Sequence, residues 1–492
     1  MRTAPAPPPT AAPDPLSGAG RVGPPIWRLL PAAIALLTVA LRLPAYLALR
    51  HLSFDDGVYG ASAVAMRHGG LPFRDVFSSQ GPLFLPMVWL ADVIGLRTLD
   101  APRLLSVASG VALLLATWSA ARALQLSTGA ATLAAGLVAT SGSVLWVTGP
   151  LTSDGPGLAL AAWAVTAALW YRRSPSLRWA IAAGVLLGAA LSVKSLLLAA
   201  GLPVVWAILP NRRHLAAALA AAGLLSVAVA LPWGLGNVWD QAFRYHLEAA
   251  GARTPLRNLR KVISTLGDRD LPLLVAGGGA AVLTGLQRRT LSGFRAVEVG
   301  NPLGLPLVGA WMAATVVVLA AEHPLWRNHV SQLMPAAALL IGAAFDRLEA
   351  RALRRALVAA ALLAVPYHAV HLSDVLWPAP PGPVLATARA DLRGLPPGAQ
   401  VISDDPGVVW RAGRRTPDDL VDTSILRIES RRLTAPSLAR AAVLDPVCAV
   451  LVWSHRFGDL ATLPKLLEEH GYGPTAHYGG GRVLYTRSSC DL

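Results

Sequence analysis

The stretch Ser53-Phe54-Asp55-Asp56-Gly57-Val58-Tyr59 decides how the rest of this chain is interpreted. It follows the first long apolar segment, residues 27–49, and precedes the loop Gly70-Leu71-Pro72-Phe73-Arg74-Asp75-Val76. Two adjacent carboxylates at the end of an apolar segment are costly, because charged groups near lipid need partners or a water-filled cavity. The sequence therefore predicts that Asp55 and Asp56 lie at the centre of an active site.

The composition around this stretch defines the class of protein. Of 492 residues, 54% are hydrophobic and 14% are charged, whereas a typical soluble domain has about 25% charged residues. Aromatic residues make up only 6%, and an apolar content of mainly Ala, Leu, Val and Gly favours closely packed helices over a membrane β-barrel. The chain is predicted to be an α-helical polytopic membrane protein.

The charge balance and the apolar segments predict the topology. The net charge of +15 is typical of basic cytoplasmic loops beside anionic lipid and does not imply a nucleic-acid partner. Residues 1–25, rich in Pro and Ala, are expected to form a disordered cytoplasmic tail. About eleven spans are expected from the length that a membrane helix needs. They are residues 27–49, 104–124, 129–147, 157–170, 179–191, 196–209, 215–235, 271–286, 303–320, 330–345 and 356–370.

One further apolar segment, residues 81–96, controls which side each loop faces. Pro82, Pro86 and Asp92 interrupt it, so it is interpreted as a helix at the membrane interface and not as a span. With that choice, Arg-rich loops such as 172–178 and 347–355 fall on the cytoplasmic side with the N-terminus, as membrane proteins prefer. The first acidic loop then faces outward.

The same topology brings further polar residues to the outer face from separate loops and helix ends. Carboxylates opposite Lys, Arg and His form an arrangement that binds a phosphate and leaves a base available. Asp55, Asp56 and Asp154 are the predicted catalytic residues. The predicted substrate-binding residues are Arg74, Lys194, Arg244, His246, Arg327 and His329.

Most of these residues also have an ordinary structural explanation, which the sequence leaves open; for Arg74 it is a surface pair with Asp75. Asp55, Asp56 and Asp154 are acceptable helix N-caps. Lys194 could extend towards lipid headgroups, and Arg327 and His329 could anchor the chain at the interface beside Trp326. The proposal of a site depends on the whole set lying on one side.

From about residue 384 the composition changes, and charged residues become frequent without a further span. Residues 400–403, 447–453 and 482–485 are predicted strands, and 460–470 is predicted to be an amphipathic helix. Residues 384–492 should therefore form a small extracytoplasmic α/β domain. Cys448 and Cys490 lie in it, either as a disulfide or as free thiols.

The order of these features resembles the GT-C class of membrane glycosyltransferases over about residues 27–345. One span is followed by an acidic pair, a Gly-x-Pro-x-Arg-Asp-Val loop, an interfacial helix and a second Asp after the third span. The branch most similar is that of the family 39 enzymes, which includes protein mannosyltransferases and lipid A aminoarabinose transferases. This resemblance implies that residues 26–375 form a GT-C transmembrane glycosyltransferase domain.

The resemblance also implies roles for particular residues. Asp55 matches the family's catalytic base, Asp56 its acidic neighbour, and Asp154 the second-loop acid that positions substrate or metal. His329 matches a His before the tenth span, although Val330 follows it where the family often has Tyr. A divalent metal held by Asp56 or Asp154 is left open, because the sequence offers no full ligand set.

The implied reaction moves a sugar from a polyprenyl-phosphate donor in the bilayer to an acceptor, which is a protein, a glycan or a glycolipid. Asp55 would deprotonate the acceptor hydroxyl, and inversion would follow. The main alternative is a transporter or flippase, which predicts charges within spans and repeated halves. A scaffold or sensor is a third possibility, and it predicts no cavity between Asp55 and Asp154.

Overall fold

The computed structural model describes residues 26–248, 255–290, 304–348, 351–363, 365–444, 446–488 and 490. The predicted cytoplasmic tail, residues 1–25, lies outside the described residues. The described part is mostly helical, and a small sheet follows near the C-terminus.

Helices of very different lengths make up the first three quarters of the chain. The first group is α1 (Ile26–Tyr46), α2 (Phe54–Arg67), α3 (Phe84–Ile94), α4 (Leu104–Ala123), α5 (Thr128–Thr140), α6 (Gly142–Thr148), α7 (Asp154–Arg173), α8 (Leu177–Val193), α9 (Gly201–Ile208) and α10 (Arg212–Ala230). The second group is α11 (Leu235–Val238), α12 (Tyr245–Glu248), α13 (Pro255–Arg269), α14 (Leu271–Thr290), α15 (Gly304–Ala321), α16 (Met334–Arg347), α17 (Arg351–Leu363), α18 (Val365–His371) and α19 (Ser373–Leu376). A π-helical turn, Trp239–Arg244, and two longer 3₁₀ segments, Ser195–Ala200 and Arg327–Leu333, separate some of them.

Few of these helices are both long and apolar enough to cross a membrane alone. Among the described residues, three qualify, and a bent pair formed by α5 and α6 raises the number to four. The predicted count of about eleven spans is therefore not established. The bend of 60° in that pair occurs where Ser141 ends α5 and caps α6, accepting a hydrogen bond from the backbone N–H of Val144 at 3.3 Å.

Helix α3 occupies the segment that was predicted to lie at the interface. It has 11 residues, which corresponds to about 16 Å at 1.5 Å per residue and is too short to cross a bilayer. Its position beside α2 places the loop between them, including Gly81, close to the end of α8. The backbone N–H of Gly81 donates to the carbonyl of Val193 at 3.0 Å, and that of Leu83 donates to the carbonyl of Ser192 at 2.9 Å.

Small residues let the central helices pack closely. Alanines of α4, α5, α7 and α8 form much of the largest buried cluster, and small side chains allow backbones to approach. Gly184 and Gly188 show the closeness, because a Cβ at either position would lie 2.1 or 2.5 Å from a carbonyl oxygen of α10. The tight bundle gives the polar residues at its end a rigid support.

The C-terminal region contains both helices and strands, as the predicted small α/β domain requires. Its helices are α20 (Pro383–Gly394), α21 (Pro406–Arg411), α22 (Ile425–Glu429), α23 (Ala435–Ala442), α24 (His455–Gly458) and α25 (Leu463–Glu469). Its strands are β1 (Gln400–Ser403), β2 (Val447–Val452), β3 (Tyr472–Gly479) and β4 (Arg482–Arg487). The sheet order is β1-β2-β4-β3. Strand β1 is parallel to β2, and the other pairs are antiparallel.

The three predicted strands and the amphipathic helix are all present, while strand β3 was not predicted. Its sequence contains Gly473 and Pro474, residues that disfavour a central strand but are tolerated at the edge of a sheet. Cys448 and Cys490 form a disulfide with a Cα–Cα distance of 5.4 Å, which decides between the two states that the sequence left open.

This domain packs directly on helix α2 through glycines. A Cβ on Gly57 would lie 2.6 Å from the Cα of Gly407, and a Cβ on Gly60 would lie 2.3 Å from the ring of Trp410. Trp410 is fully buried. Helix α21 therefore contacts the helix that carries Asp55 at backbone distance.

The glycine contact predicts opposite effects for two Gly→Ala substitutions. Gly60→Ala should lower the free energy of unfolding by about 1–3 kcal/mol, because the methyl group overlaps a buried indole that cannot move. The matched control is Gly136→Ala in α5, where no atom lies within 4 Å of the new Cβ and where alanine should be neutral or stabilise by up to about 1 kcal/mol. Thermal unfolding of both variants in detergent measures the difference, and equal melting temperatures would contradict the close contact.

Candidate active site

A cavity of about 850 Å³ lies between the ends of the helices and the C-terminal domain. Side chains from α2, α7, the turn after α8, the segment before the Arg327–Leu333 turn and the C-terminal domain surround it. Most of the predicted site residues line it, although they are far apart in sequence. These are Asp55, Asp154, Lys194, His246, Arg327 and His329. A scaffold without an active site does not predict a shared cavity for Asp55 and Asp154.

Asp55 lies in the first turn of α2. Ser53 is the N-cap, and its hydroxyl accepts from the backbone N–H of Asp56 at 3.2 Å, so capping does not use the Asp55 side chain. In the part of the chain that the structure describes, the Asp55 carboxylate has no hydrogen bond and no ion pair. Burial, and to a smaller extent the nearby carboxylates Asp154 and Asp422, raises its pKa to about 6, against the opposing effect of Lys194. Asp55 is thus a carboxylate that can accept a proton near neutral pH.

Asp154, Lys194 and His329 form a connected group on the cavity wall. The ammonium of Lys194 donates to Oδ1 of Asp154 at 2.7 Å and lies 3.0 Å from Nε2 of His329. Nδ1 of the same imidazole lies 2.5 Å from Oε1 of Glu322, although the angle is not that of a hydrogen bond. The positive charge of Lys194 is therefore held in one place by a carboxylate and an imidazole.

The backbone around Lys194 explains its position. Helix α8 ends at Val193, and Lys194 is in an extended conformation, which turns its side chain out of the helix direction. Gly81 packs against this turn, and a Cβ there would lie 2.2 Å from the carbonyl oxygen of Ser192. The close contact requires glycine at position 81, so the loop before α3 and the Lys194 turn form one unit.

Arg327 and His246 line the cavity, and each has a polar contact with another part of the protein. The guanidinium of Arg327 forms an ion pair with Asp268 and lies 3.3 Å from the hydroxyl of Thr265. Nε2 of His246 lies 2.7 Å from the carbonyl oxygen of Ser79. Both residues are exposed, so they form the outer part of the site.

Asp56, by contrast, points away from the cavity. Its carboxylate is fully buried and pairs with fully buried Arg103, with Oδ2 at 2.6 Å from Nη2 and Oδ1 at 3.0 Å from Nε. Backbone N–H groups of Leu52 and Leu151 donate to the same carboxylate at 2.9 and 3.1 Å. All lone pairs in good geometry are used, so the structure does not place Asp56 where a substrate could reach it.

Two predicted cationic residues also lie outside the cavity. The side chain of Arg74 is 69% exposed and lies 3.7 Å from Asp75 in its loop. Arg244 is 62% exposed and pairs with Glu248 at 2.7 Å. Both are surface residues, because the loop and the π-helical turn that carry them direct their side chains outward.

Several lining residues were not predicted from the sequence. No residue of the C-terminal domain had been predicted to belong to the site. The added lining residues include Tyr59, Lys261, Glu322, Asp422, Ser424 and Arg456. Only Glu322 had a usable signal, its place just before Arg327 and His329.

The predicted metal ligands do not fit a metal site in this arrangement. Asp56 is occupied by Arg103, and Asp154 lies beside the cation Lys194. Among the described residues, no group of at least three His, Cys, Asp or Glu side chains is placed to hold a metal ion.

Known proteins similar in structure identify the fold. No protein-family model matches the chain, and no curated protein matches it. The crystal structure of ArnT from Cupriavidus metallidurans bound to undecaprenyl phosphate superposes with a TM-score of 0.62 at 16% identity, covering 95% of this chain and 99% of ArnT. The oligosaccharyltransferase of Archaeoglobus fulgidus, tethered with an acceptor peptide, gives 0.54 at 15% identity, covering 95% of this chain and 74% of that protein.

These similarities extend over nearly the whole chain. The protein therefore has the fold of the GT-C membrane glycosyltransferases. The fold that the sequence resemblance implied for its first two thirds is confirmed, and the C-terminal domain falls within the superposed region.

The Asp56–Arg103 pair leads to a prediction about stability. Asp56→Ala leaves Arg103 buried without a counter-charge, so the free energy of unfolding should fall by about 3–5 kcal/mol. Asp75→Ala is the control, because that carboxylate is 39% exposed and an exposed pair contributes about 0–1 kcal/mol. Thermal unfolding in detergent measures both. An Asp56→Ala protein that melts like the wild type would refute the structural role of this carboxylate.

Proposed function

We propose that the chain is a membrane glycosyltransferase that moves a sugar from a polyprenyl-phosphate donor to an acceptor hydroxyl at the outer face of the cell membrane. The observation that carries this proposal is the carboxylate of Asp55, which has no ion pair among the described residues and faces the same cavity as the Lys194–Asp154–His329 group. A base and a fixed cation in one cavity are what displacement of a phosphate by a hydroxyl requires. The fold shared with ArnT, whose structure contains undecaprenyl phosphate, adds support.

In the proposed reaction, Asp55 removes the proton of the acceptor hydroxyl as its oxygen attacks the anomeric carbon. The bond between that carbon and the phosphate oxygen breaks, and polyprenyl phosphate leaves with inversion at the sugar. Negative charge grows on the departing oxygen, where the ammonium of Lys194 stabilises it. Arg327 and His246, on the outer part of the site, bind the remaining phosphate oxygens or the sugar.

Asp154 and Glu322 act as positioning residues in this scheme. Asp154 holds the ammonium of Lys194 at 2.7 Å, and Glu322 places a carboxylate beside Nδ1 of His329. A cation that is already in place needs no reorganisation when charge develops, which is the main source of electrostatic catalysis.

The cavity also has an apolar side that suits a lipid-linked donor. Leu191, Leu198, Phe243, Val318 and Trp326 are part of the lining, and several of them have exposed surface, with Leu198 at 63%. Such a surface beside charged groups fits a molecule with a phosphate head and a prenyl tail that remains in the bilayer. The donor can thus reach Lys194 without leaving the membrane.

The proposed mechanism makes a prediction about Asp55. Asp55→Asn should lower sugar transfer by at least about 100-fold, because the amide cannot accept the proton, while the melting temperature stays near the wild-type value. The measurement uses purified protein with a panel of polyprenyl-phosphate sugars, and consumption of each donor is followed. Asp75→Asn, a change in the loop that follows α2 and outside the cavity, should keep full activity. Substantial transfer by Asp55→Asn would remove Asp55 from the mechanism.

The proposed mechanism also predicts how the rate of sugar transfer depends on pH. A base acts only when deprotonated, and a pKa of about 6 for Asp55 means that activity should be lost as pH falls through 6. An ordinary Asp would remain active to about pH 4. The rate of transfer between pH 4.5 and 8.5 measures this, with melting temperatures recorded at each pH. A constant rate from pH 8 to pH 5 in folded protein would contradict the raised pKa.

A further inference from the structure

The C-terminal domain forms one wall of the cavity. Asp422, Ser424, Ile425 and Leu426, at the start of α22, line it together with Arg456 of α24. The guanidinium of Arg456 lies 4.0 Å from the centre of the Phe54 ring, beside Asp55. The chemistry proposed above uses no residue of this wall, so its charged groups need a separate explanation.

Asp422 is the unusual member of this wall. The residue is only 4% exposed, yet in the described part of the chain no Lys, Arg or His forms an ion pair with it. Its carboxylate accepts two hydrogen bonds, from the hydroxyl of Ser79 at 3.2 Å and from the backbone N–H of Ser424 at 2.9 Å. An ionised carboxylate offers about four acceptor positions, so some remain available towards the cavity.

The loop around Asp422 is also held by contacts that do not involve that carboxylate. Arg427 donates through Nη1 to the backbone carbonyls of Asp419 and Asp422, each at 2.7 Å, and its guanidinium stacks 4.0 Å from the centre of the Phe77 ring. The hydroxyl of Thr423 donates to the carbonyl of Ser403 at 2.9 Å. The guanidinium of Arg427 is thus close to Asp422, but its hydrogen bonds go to backbone carbonyls. The buried carboxylate of Asp422 therefore remains available to another partner.

We propose that Asp422 binds the acceptor: its carboxylate accepts hydrogen bonds from hydroxyl groups of a carbohydrate acceptor and orients the hydroxyl that Asp55 deprotonates. This inference rests on the proposed function. A carboxylate repels a phosphate, so the anionic part of the donor belongs at the Lys194 side of the cavity. The acceptor then occupies the space between α2 and the C-terminal domain.

The electrostatic surroundings of Asp55 support the same geometry. The charged groups that act on it are Lys194 and His329, which lower its pKa, and Asp154 and Asp422, which raise it. Asp422 is thus near enough to influence the base from the opposite domain. Removal of the Asp422 charge should shift the acidic limb of the pH–rate profile to lower pH. Substitution of a residue with a merely structural role would not cause this shift.

The test uses the full-length protein with a polyprenyl-phosphate sugar that the wild type consumes. Two reactions are measured: hydrolysis of the donor, and transfer to methyl glycosides, which serve as carbohydrate acceptors. Binding of the lipid is followed separately as the rise in melting temperature with undecaprenyl phosphate. The variants are Asp422→Asn, which keeps the size of the side chain, Asp422→Glu, which keeps the charge, and Asp459→Asn, an exposed control on the same domain.

For Asp422→Asn we expect the KM for the methyl glycoside to rise about tenfold or more, as for a lost hydrogen bond to a charged group. Its acidic limb should move to lower pH, while hydrolysis at pH 8 and stabilisation by undecaprenyl phosphate stay within about twofold of the wild type. Asp422→Glu should keep the wild-type acidic limb, and Asp459→Asn should behave as the wild type. These results would support an acceptor-binding role.

Other results would overturn the inference in distinguishable ways. An unchanged KM and an unchanged acidic limb in Asp422→Asn would exclude a role for this carboxylate at the site. Parallel loss of hydrolysis, lipid stabilisation and melting temperature, also in Asp422→Glu, would make it a structural residue. A wild type that hydrolyses donor but uses no methyl glycoside would refute the carbohydrate acceptor, whereas a wild type that consumes no donor at all would refute the proposed function itself.

Discussion

The buried pair of Arg103 and Asp56 is the interaction on which the arrangement of the site depends. Besides the carboxylate, Arg103 donates to the backbone carbonyls of Ala48 at 2.8 Å and Arg50 at 2.7 Å. Oδ1 of Asp56 also accepts a hydrogen bond from the backbone N–H of Leu151, which lies in the loop that leads to Asp154. One guanidinium and one carboxylate thus join the end of α1, the start of α2 and the start of α7. Removal of either partner would leave an uncompensated charge at the same place.

This pair also separates the roles of two adjacent carboxylates. Successive residues of a helix point about 100° apart, so if Asp56 faces Arg103 in the interior, Asp55 cannot do so. Asp55 instead faces the cavity without a partner among the described residues, and its pKa is raised to about 6 because burial penalises its charged form. The ammonium of Lys194, unlike the Asp55 carboxylate, has close partners. Asp154 at 2.7 Å and His329 at 3.0 Å hold it in place.

The C-terminal domain is joined to the same region by contacts that leave little freedom. Arg389 donates to the carbonyl of Leu49 at 2.8 Å, and Arg411 pairs with Asp100 at 2.6 Å. On the other side of the cavity, Arg432 forms two hydrogen bonds with Asp240, at 2.8 and 3.1 Å. Together with the glycine contacts to α2, these interactions make the domain a fixed wall of the cavity, and they explain how residues beyond position 400 come to lie near Asp55.

The sequence by itself determined the membrane class, the helical architecture, three strands and one helix of the C-terminal domain, and six of the residues that line the cavity. Those features follow from local composition and hydrophobic period, which act within a few residues. Only the tertiary structure decided that Asp56 is buried against Arg103, that Arg74 and Arg244 lie at the surface, and that Asp422 reaches the cavity. The positions of Asp56 and Asp422 depend on partners that are distant in the chain, 47 residues away for Asp56 and Arg103 and 343 for Ser79 and Asp422. A pattern of residues along one segment carries no information about which distant segment will pack against it.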